Sequence, residues 1–383
     1  MASVKANLSR TTHKAEALLR LRANEWLQRA ALAPAQQYSG DLSVDQPSQP
    51  LDGALILAAV AALEGGETHY ADVPGIAPLR KAVAMWMNKT LAESEYTSDQ
   101  VLITAGIQEA RFLTIQVLGH SLGPIALPEV LHPGVRQALA MRKIDSMVLP
   151  VSQTLGLLPA LDAIRAVLEA GAQTVFLESP SRLTGAIYTP SQVRELGALI
   201  ATYGAAVIWD QGLAPWVTPQ QYLSLTDTAA VTQRVATIGE LWPGIGLESW
   251  QIGYIGAPIE WVKKMQVNKQ LISICTNTAV QYAALAAADM VIPAQRNVHA
   301  RLSAVKQAIV NALSRGGIAP VMGAAANILA LPASDAADAL TRAQKVILSL
   351  ADGALFGAPG LLRLAVTPVT VSLEAVKYVF STE

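Results

Sequence analysis

The sequence predicts an α/β protein, in which a large unit with a mainly parallel sheet flanked by helices is joined to a smaller α+β domain. Three observations predict it. Short, continuously apolar runs such as 174–177 (TVFL) and 206–209 (AVIW) recur along the chain, the pattern of strands buried on both faces. Segments of helical period, ten or more residues long, separate these runs, as crossover connections between parallel strands require. The chain has 383 residues, 52% hydrophobic and 15% charged, enough to bury a large core and to divide into two lobes.

The elements follow in order. Apolar residues recur with helical period over 14–32, until Pro34 breaks the pattern, and over 51–63, where Gly65 and Gly66 stop it. A third helix is expected at 75–87, then a strand at 101–104 and a helix at 107–118 ended by Gly119. Strands at 124–127, 146–150, 174–177, 206–209, 235–238 and 254–256 alternate with helices at 134–141, 158–170 and 191–203. A long helical stretch follows Trp261, including 279–290 and 298–313. Strands at 328–331 and 361–365 with flanking helices make the smaller lobe. The division expected is an N-terminal arm and part of the small domain at 1–50, a large domain at 51–290 and a small C-terminal domain at 291–383.

Composition excludes several classes of function. A net charge of −1 leaves no basic excess for nucleic acid. The single cysteine, Cys275, rules out an internal disulfide, and the five histidines (His13, His69, His120, His132, His299) lack ligand spacing, so no metal site is expected. The uncharged stretch 112–128 is broken by Gly, Pro and Ser, and no membrane span is expected. Glu16 and Glu25 interrupt the basic N-terminal region and no apolar secretory core follows, so a cytoplasmic location is expected.

Several segments, in order, carry a resemblance: DLSVDQPSQP (41–50), HYADVPGIAPLRKAVAMWM (69–87), VLITAGIQEA (101–110), FLESPSRLTGAIYT (176–189), AAVIWDQGLA (205–214), ELWPGIGLESWQIGYIGAP (240–258) and LLRLAV (361–366). Together the chain resembles the class I/II aminotransferase family, the fold-type I pyridoxal phosphate enzymes. The resemblance implies their aminotransferase-like fold and a homodimer. It makes Asp210 the partner of the pyridine nitrogen, Arg363 the arginine that grips a substrate carboxylate, and Tyr70 a tyrosine that crosses to the other subunit's site.

Departures from the family pattern are as informative. No lysine lies between Lys143 and Lys263, and Pro243 stands at the position of the lysine that forms the cofactor imine. Gln251 replaces a phosphate-binding arginine, Glu240 and Ile107 replace groups that contact the phosphate, and Leu213 and Arg182 replace the tyrosine and asparagine on the cofactor oxygen. His132 stands for the stacking aromatic residue and Asp45 for a pocket glycine. The expectation drawn from these residues is a protein that has lost pyridoxal phosphate chemistry and holds no cofactor. It would act by acid–base chemistry on an amino-acid-like or keto-acid-like carboxylate. Glu240, His132, Asp210 and Tyr70 would be catalytic, with Arg363, Arg182, Trp242 and Asp45 binding substrate and Trp250 walling the vacated space. A non-catalytic ligand-binding or partner subunit, and a protein binding pyridoxal or pyridoxamine phosphate without a covalent link, are the alternatives. A plain Glu240–Arg182 salt bridge with a packed His132 would explain the same substitutions.

Overall fold

A computed structural model of the protein describes residues 51–90, 95–228, 231–321, 323–346, 350–367 and 373–380. The expected helix at 14–32 and Asp45 lie outside them. The described chain begins with α1 (Gly53–Glu64) and α2 (Ala77–Thr90). The main sheet takes β1 (Val101–Thr104), β2 (Ile125–Pro128), β3 (Ser146–Leu149), β4 (Thr174–Glu178), β5 (Ala206–Asp210), β6 (Val235–Glu240) and β7 (Gly253–Gly256). Between them run α3 (Gly106–Leu122), α4 (Pro133–Arg142), α5 (Leu161–Glu169) and α6 (Pro190–Tyr203). The helices α7 (Ile259–Ile272), α8 (Thr278–Ala287) and α9 (Val291–Arg315) lead to a second sheet. That sheet holds β8 (Ile328–Pro332), β9 (Ala351–Asp352) and β10 (Leu361–Ala365), with α10 (Ala336–Lys345) and α11 (Leu373–Phe380) beside it.

The seven strands lie in the order β1-β7-β6-β5-β4-β2-β3. β2 through β6 pair in parallel, and β7 runs antiparallel to both β6 and β1. Side-chain alternation explains why both faces are covered. Val175 and Leu177 of β4 and Val207 and Trp209 of β5 pack with Val193, Leu196 and Ile200 of α6. Phe176 and Ile208, one residue out of step, pack on the other face with Leu113 and Val117 of α3. The three-stranded sheet is antiparallel, and its core joins Val298, Leu302 and Ile309 of α9 to Leu213 and Trp216 from the larger part of the chain. A boundary at 290/291 remains a proposal, and α9 begins at Val291.

Three of the strands that run further than expected end on carboxylates. β4, β5 and β6 end on Glu178, Asp210 and Glu240, because ladder pairing continues through Glu178↔Asp210 and Glu240↔Gly253. The carboxylates are therefore the last residues of rigid strands, not members of the loops that follow. α9 is also longer than the expected 298–313, and α8 stops short of Met290.

Candidate active site at the carboxyl edge of the sheet

Open α/β sheets place ligands at the carboxyl ends of their strands, and here those ends gather charge. Asp210 is fully buried. Its Oδ2 accepts from Arg111 Nη2 at 2.8 Å, and its Oδ1 accepts from Arg182 Nη2 at 2.7 Å and from the Gly212 amide at 3.1 Å. Arg182 also grips Glu240 with two bonds, Nη1 to Oε1 at 2.8 Å and Nη2 to Oε2 at 2.9 Å. Glu178 accepts the backbone N–H of His132 at 2.8 Å and that of Arg182 at 3.2 Å, so it positions both residues from below.

The ionisation of these groups follows from their neighbours. Burial works against the Asp210 charge, but Arg182 and Arg111 outweigh it and hold the carboxyl well below its usual range. Burial and the nearby Asp210 charge push Glu178 up to about 7. Burial, with Arg111 and Arg182 close by, lowers His132 to about 3. His132 Nδ1 faces Arg111 Nη1 at 3.0 Å and accepts the Gly134 N–H at 3.1 Å as the N-cap of α4. Its imidazole is therefore neutral, with the ring nitrogen that would act as a base already engaged.

The remaining expected residues are placed as follows. Arg363 is buried on β10, donates Nε to the Arg182 carbonyl at 2.8 Å and lies 6.0 Å from the Phe356 ring. Trp242 is fully buried with a φ of 53°. Trp250 is half-buried against the cluster that contains Trp242. Tyr70 is 76% exposed on this chain, away from the charged cluster. A cavity of about 180 Å³ opens beside Glu240, between the start of α3 (Gly106, Ile107), the turn carrying Pro243, Glu248 and Gln251, and Ala365–Val366 at the end of β10. Leu213, Trp216 and Asn327 also line it.

Sequence reasoning missed Arg111, Glu178, Glu248 and Asn327. For two of them a signal existed. Arg111 is a lone cation on the apolar face of α3, and a buried arginine demands partners. Glu178 ends an apolar strand in the same way as Asp210.

A pyridoxal phosphate held in the family's manner needs an amine for the imine and a carboxylate facing its ring nitrogen. Asp210 is already clasped by two arginines, and Pro243 offers no amine. Among the described residues the two buried lysines are engaged elsewhere: Lys269 pairs with Glu109 at 2.7 Å, and Lys306 donates to the Gly323 and Ala325 carbonyls at 2.7 Å. These residues do not fit a covalently held pyridoxal phosphate.

A family model described as aminotransferase class I and II matches residues 39–379. A probable aspartate/prephenate aminotransferase from Aquifex aeolicus is 25% identical over 240 residues, 60% of this chain and 59% of that protein. An aspartate aminotransferase from Thermotoga maritima is 22% identical over 250 residues, 65% of this chain and 66% of that protein. The chain thus spans less than two thirds of the length of these curated relatives. The solved structure of the Thermus thermophilus aspartate aminotransferase with maleate superposes with a TM-score of 0.80 at 20% identity, covering 92% of this chain and 94% of that one. That likeness shows the fold type I architecture.

These relatives correct the functional expectation. They carry the names of aminotransferases, which overturns the reading of a protein that has left pyridoxal phosphate chemistry for acid–base catalysis. The geometry agrees on one point: a neutral, engaged His132 and an Asp210 locked in its charged form are poor acids and bases near neutral pH. Among the described residues no helix is long and apolar enough to cross a membrane. The match over 39–379, the sheet order and the strand-end carboxylates converge on one conclusion: this chain belongs to the aminotransferase class I and II family.

Proposed function

We propose that the chain is an amino-group-transferring enzyme for small amino-acid and 2-oxo-acid carboxylates, working in the cavity beside Glu240. We further propose that it is a degenerate member of its family, with Pro243 at the lysine position. The observation that supports the reading is the cavity itself, small and set at the carboxyl edge between the two sheets, where ligands of α/β folds reside. Glu240 lines it, Arg182 ties Glu240 to the buried Asp210, and Arg363 braces this ionic group through the Arg182 carbonyl. A cytoplasmic homodimer completes the proposal. Tyr70 would face the second subunit, and the exposed apolar side chains Val267, Leu271 and Ile272 of α7 supply surface for it.

The test is amino transfer by the purified protein across a panel of amino-acid donors and 2-oxo-acid acceptors, with pyridoxal or pyridoxamine phosphate added. New amino acid above that formed by the added compound alone supports the proposal. Folded protein that transfers no amino group with any pair removes it.

A further inference from the structure

We infer that the cavity beside Glu240 receives an organic cation, a ligand that presents a primary ammonium group, in preference to an anion. The inference narrows the amino donor of the proposed reaction to one whose cationic group enters this cavity, and it rests on that cavity being where the ligand binds.

The lining decides the sign. Among the described residues that form the wall there is no lysine, arginine or histidine, but there are two carboxylates, Glu248 and the Arg182-paired Glu240. Neither Arg182 nor Arg111 is in the wall. Arg182 gives its donors to Asp210 and Glu240, and the Nη groups of Arg111 go to Asp210, His132 and Gln108, its Nε staying buried outside the wall. One positive feature remains, the N-terminus of α3 at Gly106 and Ile107, which ordinarily attracts anions. It is answered from within the fold. Glu109, in the first turn of α3, accepts the Ala105 N–H at 2.6 Å and shares its charge with Lys269 at 2.7 Å, so a side-chain acceptor already meets that end of the helix.

A second, independent observation points to a donor-bearing ligand. Asn327 lines the same cavity and is 7% exposed, and its Oδ1 has no hydrogen-bond partner among the described residues. Buried carbonyl oxygens are rarely left without a donor, and an ammonium carries three. Glu248 is held in place by the Gly244 N–H at 2.7 Å. Trp216, also in the wall, adds an aromatic surface of the kind that attracts cations.

Isothermal titration calorimetry of the full chain tests this with four probes: 1,4-diaminobutane, L-lysine, succinate and inorganic phosphate. The diamine and lysine are expected to bind at least about tenfold more tightly than the two anions, a difference readily resolved in Kd. Asn327→Asp should tighten diaminobutane binding and Asn327→Ala should weaken it, with circular dichroism confirming that both variants fold. Equal or tighter binding of succinate or phosphate overturns the inference, as does the absence of binding by every probe or a failure of the two Asn327 variants to move in opposite directions. Amino transfer is assayed on the same preparations. Cation binding without amino transfer removes the proposed activity and leaves this inference standing. Amino transfer with a preference for anions removes only the inference.

Discussion

One Arg182 nitrogen, Nη2, lies 2.7 Å from Asp210 Oδ1 and 2.9 Å from Glu240 Oε2. The guanidinium thereby fastens the ends of β5 and β6 to the loop that follows β4. Its planar fork suits two carboxylates at once; burial works against its charge, but Asp210 and Glu240 outweigh it and raise its affinity for a proton still further.

Removing that guanidinium should be costly. Arg182→Ala leaves Asp210 buried with only Arg111 and strands Glu240, and a broken buried pair typically costs about 3–5 kcal/mol. Arg182→Lys should recover only part of the loss, because a point charge cannot span both carboxylates. Urea unfolding monitored by tryptophan fluorescence measures both. A loss below about 1 kcal/mol for Arg182→Ala, the range of surface ion pairs, would show that the pair is not buried as described.

Gly212 should be intolerant of any side chain. A Cβ there would fall on Glu240 Oε2 and Arg182 Nη2, so alanine must pry the pair apart. Gly212→Ala is expected to destabilise the protein by roughly 2 kcal/mol or more, in the range of overpacked sites. Glu240→Ala in the same chain should relieve part of that penalty, and a double-mutant cycle reads the coupling.

Stability should depend on pH through His132 and Glu178 in opposite senses. His132 titrates at about 3 in the fold against an ordinary 6.5. Its contribution is present above pH 6.5 and disappears as pH falls towards 3, because the unfolded chain binds the proton first. Glu178 titrates at about 7 in the fold against an ordinary 4.5, so its contribution is full below 4.5 and disappears as pH rises to 7. His132→Asn, which keeps an acceptor for the α4 cap, should lose less stability than the parent between pH 4.5 and 3, by on the order of 2 kcal/mol. Glu178→Gln should flatten the decline between pH 4.5 and 7. Identical pH profiles for parent and variants would contradict the burial assigned to these groups.

The proposed dimer has its own test. Leu271 is 83% exposed on α7, and Leu271→Asp places a charge in a surface offered to the second subunit. Size-exclusion chromatography with light scattering should give a dimer for the parent and a shift to monomer for the variant. A monomeric parent removes the dimer and with it the role of Tyr70.

Much of this protein can be read from its sequence because much of it is local. The apolar runs at 174–177 and 206–209 and the helical period between them fix buried parallel strands, and the absence of any lysine from 144 to 262 is plain in the sequence. Which charges meet is not local. Arg111 and Asp210 are 99 residues apart, Arg182 and Glu240 are 58 apart, and Arg363 reaches the Arg182 carbonyl across 181. The sequence offered His132, Asp210 and Glu240 as acids and bases, with a Glu240–Arg182 salt bridge as the plain alternative, and that salt bridge is the one the structure shows. Only the tertiary structure, by ending three strands at one edge and inserting two arginines between their carboxylates, made them a closed ionic floor, because Coulomb attraction inside a buried site depends on distance in space and on the water excluded there.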